Sequence, residues 1–479
     1  MSQRPVSLTD PAHAGLFARV TGASALPGHR LQLLRDSDEH ERAALALVAQ
    51  ARHHIIIENY RLVDDDWGRA LVDALCAQAR KGVRVRLLCD WLGSWGRLGR
   101  LPALLRDAGA ELRRFNTPGL GEPLAWIVRN HRKLLSVDGC EAMITGWCLS
   151  AQWRGKPGGP PWRDTGVRVA GPVVAEAEAA FAQTWRLAGG DSPGGMIDHT
   201  HCPLSDMTMT VDQAQARLLV GRPQRSPLFQ LDQLVISLAR ERIWLTDAYP
   251  VGTPTYLDSL RRAARDGVDV RLLVPGSTDL PLLGMLSRSG YRALLEAGVR
   301  VFEWNGPMLH AKTAVVDGEW ARIGSSNLNP ASWLGNYELD LVVEDPAFGE
   351  IMETQYLNDL ERSTEIVLRA GQKVQLLQPR ASHRRGGGRR PQLGSATALR
   401  LSRAMAMAVR ESRRLGPADA SLLGLLGGSA VLLAIVAAWR PAWVAWPLAV
   451  LAAWGGINLL RIAWRRYRHY RAEDDDAAN

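Results

Sequence analysis

The sequence predicts an α/β fold made of two similar halves, each with a mixed sheet and its helices, followed by a C-terminal helical hairpin in a membrane. Three observations carry this. Residues 1–370 repeat one order of strand-like and helix-like patterns. Each half ends that order with H-x-K-x4-D: His131, Lys133 and Asp138, then His310, Lys312 and Asp317. Beyond residue 420 come two long uncharged runs.

The repeat is legible element by element. An apolar strand opens each half, at His54-Ile55-Ile56-Ile57 and at Ile243-Trp244-Leu245. Helical patterns follow at 70–79 and 256–264. Next come Lys81-Gly82 with the alternating strand Val83–Leu88, matched by Asp266-Gly267 with Val268–Leu273. A second helix closes on Ala108-Gly109 or Ala297-Gly298, where glycine suits the C-terminal turn. A further strand leads to the histidine. Strands alternating with helices imply right-handed crossovers and a helix-covered sheet. Two such halves suggest a pseudo-twofold dimer within one chain, with a site at the seam.

Composition bounds the rest. The chain has 479 residues, 46% hydrophobic and 22% charged, which excludes disorder throughout and allows a large core. Five cysteines are too few and too scattered for a disulfide framework, none forms a C-x-x-C pair for structural zinc, and they point to reduced thiols in a cytoplasmic catalytic part. No secretory signal is read in the first twenty residues. His199, His201 and Cys202 lack a fourth ligand at sensible spacing and read as a plain loop, so no metal is expected.

The net charge is +9, and residues 380–414 supply it, with ten arginines against Glu411. The stretch includes Gly386-Gly387-Gly388, so it reads as a flexible basic linker drawn to anionic lipid or to nucleic acid. The uncharged runs 420–439 and 442–460 decide for lipid, since each is long enough for a helix across ~30 Å of hydrocarbon. Arginines flank both outer ends, which places both on the cytoplasmic side with Arg440-Pro441 as the distal turn. A buried helical pair and a shallow re-entrant hairpin are the alternatives. The domains are therefore 1–27 as an N-terminal segment, 28–195 and 196–370 as the halves, 371–416 as linker, 417–464 as hairpin and 465–479 as charged tail.

His and Lys two apart in a strand share a face. A neutral imidazole beside a fixed ammonium suits attack on a phosphate ester: the ammonium neutralises oxygens and the imidazole supplies nucleophile or proton. Gly324-Ser325-Ser326-Asn327 adds small residues and an amide that can hold phosphate oxygens.

On these residues the chain resembles the phospholipase D (HKD) superfamily over about residues 28–365. The resemblance implies two phospholipase D-like α/β/α repeats and a phosphohistidine mechanism with no metal or cofactor. It implies phosphate contacts from Lys133, Lys312, Ser325 and Asn327, and structural roles for Asp138 and Asp317. It also implies a carboxylate about thirty residues past each histidine to orient it: Asp164 and Glu338. By the same resemblance His131 is the nucleophile and His310 the general acid/base.

Trp162-Arg163-Asp164-Thr165, Gly171-Pro172-Val173, Phe181, Trp185 and Ser326–Pro330 narrow the likeness to bacterial cardiolipin synthases, with a start at Gly28–Leu34 closest to the B type. The implied reaction moves a phosphatidyl group from one phosphatidylglycerol to another at the inner membrane, with the catalytic part on the cytoplasmic side. Its partners are anionic phospholipids, namely phosphatidylglycerol and cardiolipin. Two departures stand out. Cys148 occupies the place of the expected Asn, weakening phosphate binding in that half, and Gly166 stands where the synthases often carry histidine. The alternatives are a phospholipase D yielding phosphatidic acid, a metal-independent phosphodiesterase or nuclease, and a lipid-binding protein without activity. The charge lies beside the apolar runs rather than over the catalytic halves, so nucleic acid is not expected. Trp91, Trp95 and Trp126 are candidates for an acyl channel or for core.

Overall fold

The computed structural model describes residues 7–118, 127–191, 211–368 and 375–377, with scattered positions between 435 and 457. The chain divides into a main unit, up to Asn116 and Val128–Val409, and a second unit, Thr117–Ile127 and Arg410–Asn479.

In the main unit, helix α1 (Pro11–Thr21) precedes the first half. That half runs β1 (Leu26–Arg35), α2 (Ser37–Gln50), β2 (His54–Asn59), α3 (Asp66–Arg80), β3 (Arg84–Asp90), α4 (Leu101–Asp107), β4 (Glu111–Phe115), β5 (Arg129–Asn130), β6 (Leu134–Val137), β7 (Glu141–Thr145), β8 (Thr165–Ala170) and α5 (Val173–Leu187). The second half runs β9 (Val211–Gly221), α6 (Pro227–Leu238), β10 (Arg242–Thr246), α7 (Pro254–Arg265), β11 (Asp269–Pro275), α8 (Pro281–Ser289), α9 (Tyr291–Leu295), β12 (Arg300–Trp304), β13 (Thr313–Val316), β14 (Trp320–Gly324), β15 (Asn336–Val343) and α10 (Pro346–Leu360). Strands β16 (Ser363–Val367) and β17 (Gln375–Leu377) follow.

The two halves pair alike. Strands β2, β3 and β4 are parallel, and β2 also takes the β6–β7 hairpin antiparallel. Strands β10, β11 and β12 are parallel, and β10 takes β13–β14. Where the sequence suggested a separate sheet in each half, the ladders join into one large mixed sheet. Strand β1 pairs with β8 and β9, and β9 pairs with β15. The long strands β1 and β9 carry enough backbone groups to bond on both sides, which removes the edges two separate sheets would expose.

The central strands β2 and β10 carry the apolar runs Ile55–Ile57 and Ile243–Leu245 because both of their faces are buried. Ile55, Ile57, Leu87 and Val85 pack under Leu47 of α2 and Leu71 and Leu75 of α3. Ile243, Leu245 and Leu272 pack under Leu231 of α6 and Leu260 of α7. A third cluster, with Phe181, Trp185, Leu341 and Tyr356, fills the seam. Asp36, Asp65, Ser226, Thr253 and Asp345 cap helix N-termini with their side chains.

Cys76, Cys89 and Cys148 are free, but Cys140 is disulfide-bonded, which corrects the expectation of reduced thiols throughout. The arginine-rich stretch 380–414, and His199, His201 and Cys202, lie outside the described residues. So does almost all of the expected hairpin 417–464. Among the described residues no helix is long and apolar enough to cross a membrane. In the second unit Ile435, Trp439, Trp446, Val450 and Ile457 are exposed.

Candidate active site

The histidines follow short bridging segments that couple the halves. Strand β5 pairs parallel with the start of β15, and the His131 N–H donates to the Tyr337 carbonyl at 2.9 Å. Leu309 and Arg163 form the equivalent bridge, and the His310 N–H donates to the Arg163 carbonyl at 2.7 Å. Each bridge sets the carboxylate of one half beside the histidine of the other. His310 Nδ1 lies 2.8 Å from Asp164 Oδ2, and His131 Nδ1 lies 3.0 Å from Glu338 Oε2. The within-half pairing implied by the resemblance is therefore replaced by a crosswise one, because the bridges bring the segments before Asp164 and Glu338 to the opposite histidine.

Both carboxylates are held rigidly. Asp164 Oδ2 also accepts from Trp153 Nε1 at 2.8 Å, and Oδ1 from the Thr165 N–H at 2.8 Å. Glu338 accepts from Ser325 Oγ at 2.5 Å and Asn336 Nδ2 at 3.0 Å. Ser325, expected on the phosphate, is fully buried and spends its hydroxyl on Glu338. With Nδ1 engaged by a carboxylate, Nε2 is the atom each ring offers to phosphorus.

Lys133 Nζ donates to the His131 carbonyl at 2.6 Å. Lys312 Nζ donates to the His310 carbonyl and sits 3.2 Å from His310 Nε2. Burial, then the Lys312 charge, pulls His310 down to about 4 against the pull of Asp164. Burial also lowers His131, opposed by Glu338. Burial lowers Lys312 to about 8 and lowers Lys133 as well. Burial alone would raise Asp164 and Glu338, but the partnered histidines outweigh it and hold both below the usual carboxylate range. Neutral imidazoles beside ammonium groups, in a dry site, suit attack on an anionic phosphodiester.

Asp138 and Asp317, grouped with the catalytic residues by motif, stand at the opposite ends of β6 and β13 from the lysines. Asp138 accepts from the N–H groups of Arg52, His53 and His54, at 2.7–2.8 Å. Asp317 accepts from those of Arg240, Glu241 and Arg242, each at 2.8 Å. Each aspartate adopts a positive φ ahead of a positive-φ glycine, Gly139 or Gly318, as a type I′ hairpin turn requires. They fix where β2 and β10 begin.

Cys148 follows Lys133 at the spacing at which Asn327 follows Lys312. It is buried, and burial raises its thiol while the Lys133 charge opposes this. Asn327 is buried too, and its Oδ1 has no hydrogen-bond partner among the described residues. Above Gly166, a Cβ would fall 2.5 Å from Nε2 of His40, a buried residue of α2. An imidazole already fills the space that a residue-166 side chain would need.

Sequence reasoning missed two tyrosines. Tyr60 meets the His131 ring edge-on at 5.3 Å and lies under Lys133 Nζ at 5.7 Å. Tyr249 meets His310 at 6.0 Å and lies under Lys312 Nζ at 5.9 Å. Their signal was positional: each stands within three residues of the end of a half's first parallel strand. Trp126 lies outside the described residues, Trp91 stacks on Trp95 at 5.4 Å, and Met308 is core.

The family model described as "Cardiolipin synthase, PLD-like domain" matches residues 45–152 and 234–360. A cardiolipin synthase of Alkalihalophilus pseudofirmus is 32% identical over 341 residues, covering 70% of this chain and 67% of its own. Cardiolipin synthase A of Pseudomonas entomophila is 31% identical over 355 residues, covering 74% and 73%. That relative is of the A type, where the sequence suggested B. The crystal structure of the phosphatidylserine synthase of Haemophilus influenzae is similar in fold, with a TM-score of 0.54 and 16% identity over 74% of this chain and 90% of that one.

Proposed function

Because the chain belongs to the cardiolipin synthase family of phospholipase D-like proteins, and is a phosphatidyltransferase of that type, we propose that it joins two phosphatidylglycerol molecules through a phosphohistidine. The observation that carries this is the crosswise pair of histidine–carboxylate contacts, His131 with Glu338 and His310 with Asp164.

In this reading Lys133 and Lys312 hold the phosphodiester oxygens, and Nε2 of His131 attacks phosphorus. The bond to the headgroup glycerol breaks, and His310 gives that oxygen its proton. The anionic phosphate raises the His310 pKa as it binds, so a ring that is neutral in the free enzyme can arrive charged. The neutral His310 then takes the proton from the hydroxyl of the second phosphatidylglycerol. That oxygen attacks phosphorus, and the bond to His131 breaks. The same group thus acts as acid and then as base, as the reversal of one step requires. The greater exposure of the His131 side chain, 12% against 7%, supports placing it on phosphorus. Membrane association through residues 417–464 belongs to the same reading, supported by their two uncharged runs.

Lipid analysis of a cardiolipin-deficient bacterium tests it. Cardiolipin is expected with the intact protein and not with His310→Ala or His131→Ala. Phosphatidic acid without cardiolipin would replace the transferase with a hydrolase. A phosphohistidine trapped on His310 would reverse the two roles.

A further inference from the structure

A site that works on bilayer lipids must meet the bilayer, and the placement of exposed apolar side chains says where. Among the described residues of the main unit, five large apolar ones stay exposed around the histidine end: Leu92, Trp95, Leu280, Met285 and Leu334. The three others, Leu104, Leu187 and Leu357, sit on helices α4, α5 and α10. Trp95 is 66% exposed and Met285 56%, which is costly for such side chains in water without a partner.

Their positions follow the pseudo-twofold. Leu92 and Trp95 lie in the segment after β3, and Leu280 and Met285 in the segment after β11, the matching strand. Each segment is tied to the tyrosine beside a histidine. The Leu62 N–H donates to Ser94 Oγ at 3.0 Å, and a Cβ on Gly93 would fall 2.0 Å from the Tyr60 carbonyl oxygen. Tyr249 Oη donates to Asp279 at 2.5 Å. The first segment, 91–100, carries Arg97 and Arg100 and no acid. Tryptophan, leucine and arginine together are the composition that settles at an anionic bilayer surface.

We propose that these two segments form a bilayer-docking rim, seating the main unit with both histidines facing the headgroups of anionic phospholipid. The rim is distinct from the uncharged runs beyond residue 420, and it rests on the lipid reading of the site. It places the mouth at headgroup depth, where substrate enters laterally.

The test uses the full chain in vesicles of phosphatidylcholine and phosphatidylglycerol, with a fraction of the phosphatidylcholine doxyl-labelled. Single cysteines at Trp95→Cys, Met285→Cys and, at the far end, Glu241→Cys carry the fluorophore NBD. The native free thiols Cys76, Cys89 and Cys148 are buried. The doxyl lipid should quench NBD at 95 and 285 and not at 241, and iodide the reverse. Equal iodide quenching at all three positions would overturn the rim, and shielding of 95 and 285 from both quenchers would show a protein cover and overturn it too. A second measurement compares rates on long-chain vesicles with rates on monomeric dihexanoyl phosphatidylglycerol. In Leu92→Ser/Trp95→Ser the ratio of the two should fall roughly tenfold; an unchanged ratio in an active enzyme counts against the rim alone. Absence of cardiolipin from the unsubstituted protein would count against the lipid reading, while the quenching result still judges the rim.

Discussion

Asp164 of the first half accepts the Nδ1–H of His310 of the second at 2.8 Å. Neither half therefore owns a complete catalytic unit. With Glu338 on His131 the exchange is reciprocal, so each half supplies one histidine and the carboxylate that orients the other's. Asp164→Asn leaves the backbone bridge in place but can present an amide N–H to Nδ1, favouring the wrong tautomer. A loss of about 10⁴ in turnover is expected, the size such a change has in a Ser-His-Asp triad. Rapid quench of a single turnover locates it. If His310 is the acid, Asp164→Asn slows formation of the phosphohistidine and its transfer alike. A variant within tenfold of the unsubstituted rate would sink the orienting role.

The pH dependence has a definite sign. Lys312 is lowered to about 8, first by burial. Its ammonium is present below that pH and lost above it, so kcat/KM on phosphatidylglycerol should fall as pH rises through about 8. His310, near 4, must gain a proton to act as the acid, so it adds a steady decline across this range, on which the loss of the Lys312 charge appears as a steeper basic limb above about 8. A guanidinium does not deprotonate here. Lys312→Arg, whatever it costs in rate, should therefore move the basic limb up by at least about one pH unit. The full pH profile of kcat/KM for both proteins checks this; an unmoved limb would assign the fall to another group.

Much of this was readable in advance, and the failures share a cause. Strand runs such as Ile55–Ile57 and the Lys81-Gly82 and Asp266-Gly267 turns announce themselves because their signals are local. The His-x-Lys pairs are local too, two residues apart on one strand face. The partners of Asp164 and Glu338 are set by bridges between segments 146 and 207 residues apart, which no spacing encodes. Ser325 was assigned to phosphate because its neighbours are small and polar; burial decided that its hydroxyl goes to Glu338. The tyrosines were hidden by their loops, where no periodicity marks a residue as facing a site.

Asp138 and Asp317 should behave as folding residues. Each carboxylate gathers three backbone N–H groups, and alanine would leave those donors to water and force a Cβ residue without that compensation into positive φ. Asp317→Ala should cost about 3 kcal/mol of stability. Activity per folded molecule, measured well below the unfolding transition, should stay within roughly threefold, since a charged hydrogen bond lost here touches no reacting group. Thermal unfolding and turnover on the same sample separate the two. A stable but inactive Asp317→Ala would return the aspartate to the chemistry.

His40 and Gly166 make a pair whose exchange can be tested. His40 Nδ1 lies 2.6 Å from the Asp36 carbonyl, and its ring packs against Trp147 at a centroid distance of 5.4 Å. A Cβ at Gly166 would meet His40 Nε2 at 2.5 Å and Thr145 Cβ at 2.7 Å. Strand β8 cannot retreat, because Gly166 is paired with Leu34 on one side and Thr145 on the other. Gly166→His should therefore overpack the site and cost about 1–3 kcal/mol. Removing the obstructing ring in Gly166→His/His40→Ala should recover part of that loss, while the Thr145 contact keeps the rest. Two residues competing for one space give a favourable coupling in a double-mutant cycle, of about 0.5–3 kcal/mol. Denaturant midpoints of the four proteins measure it. Additive effects, or a Gly166→His as stable as the unsubstituted chain, would show that the space above Gly166 is not held by His40.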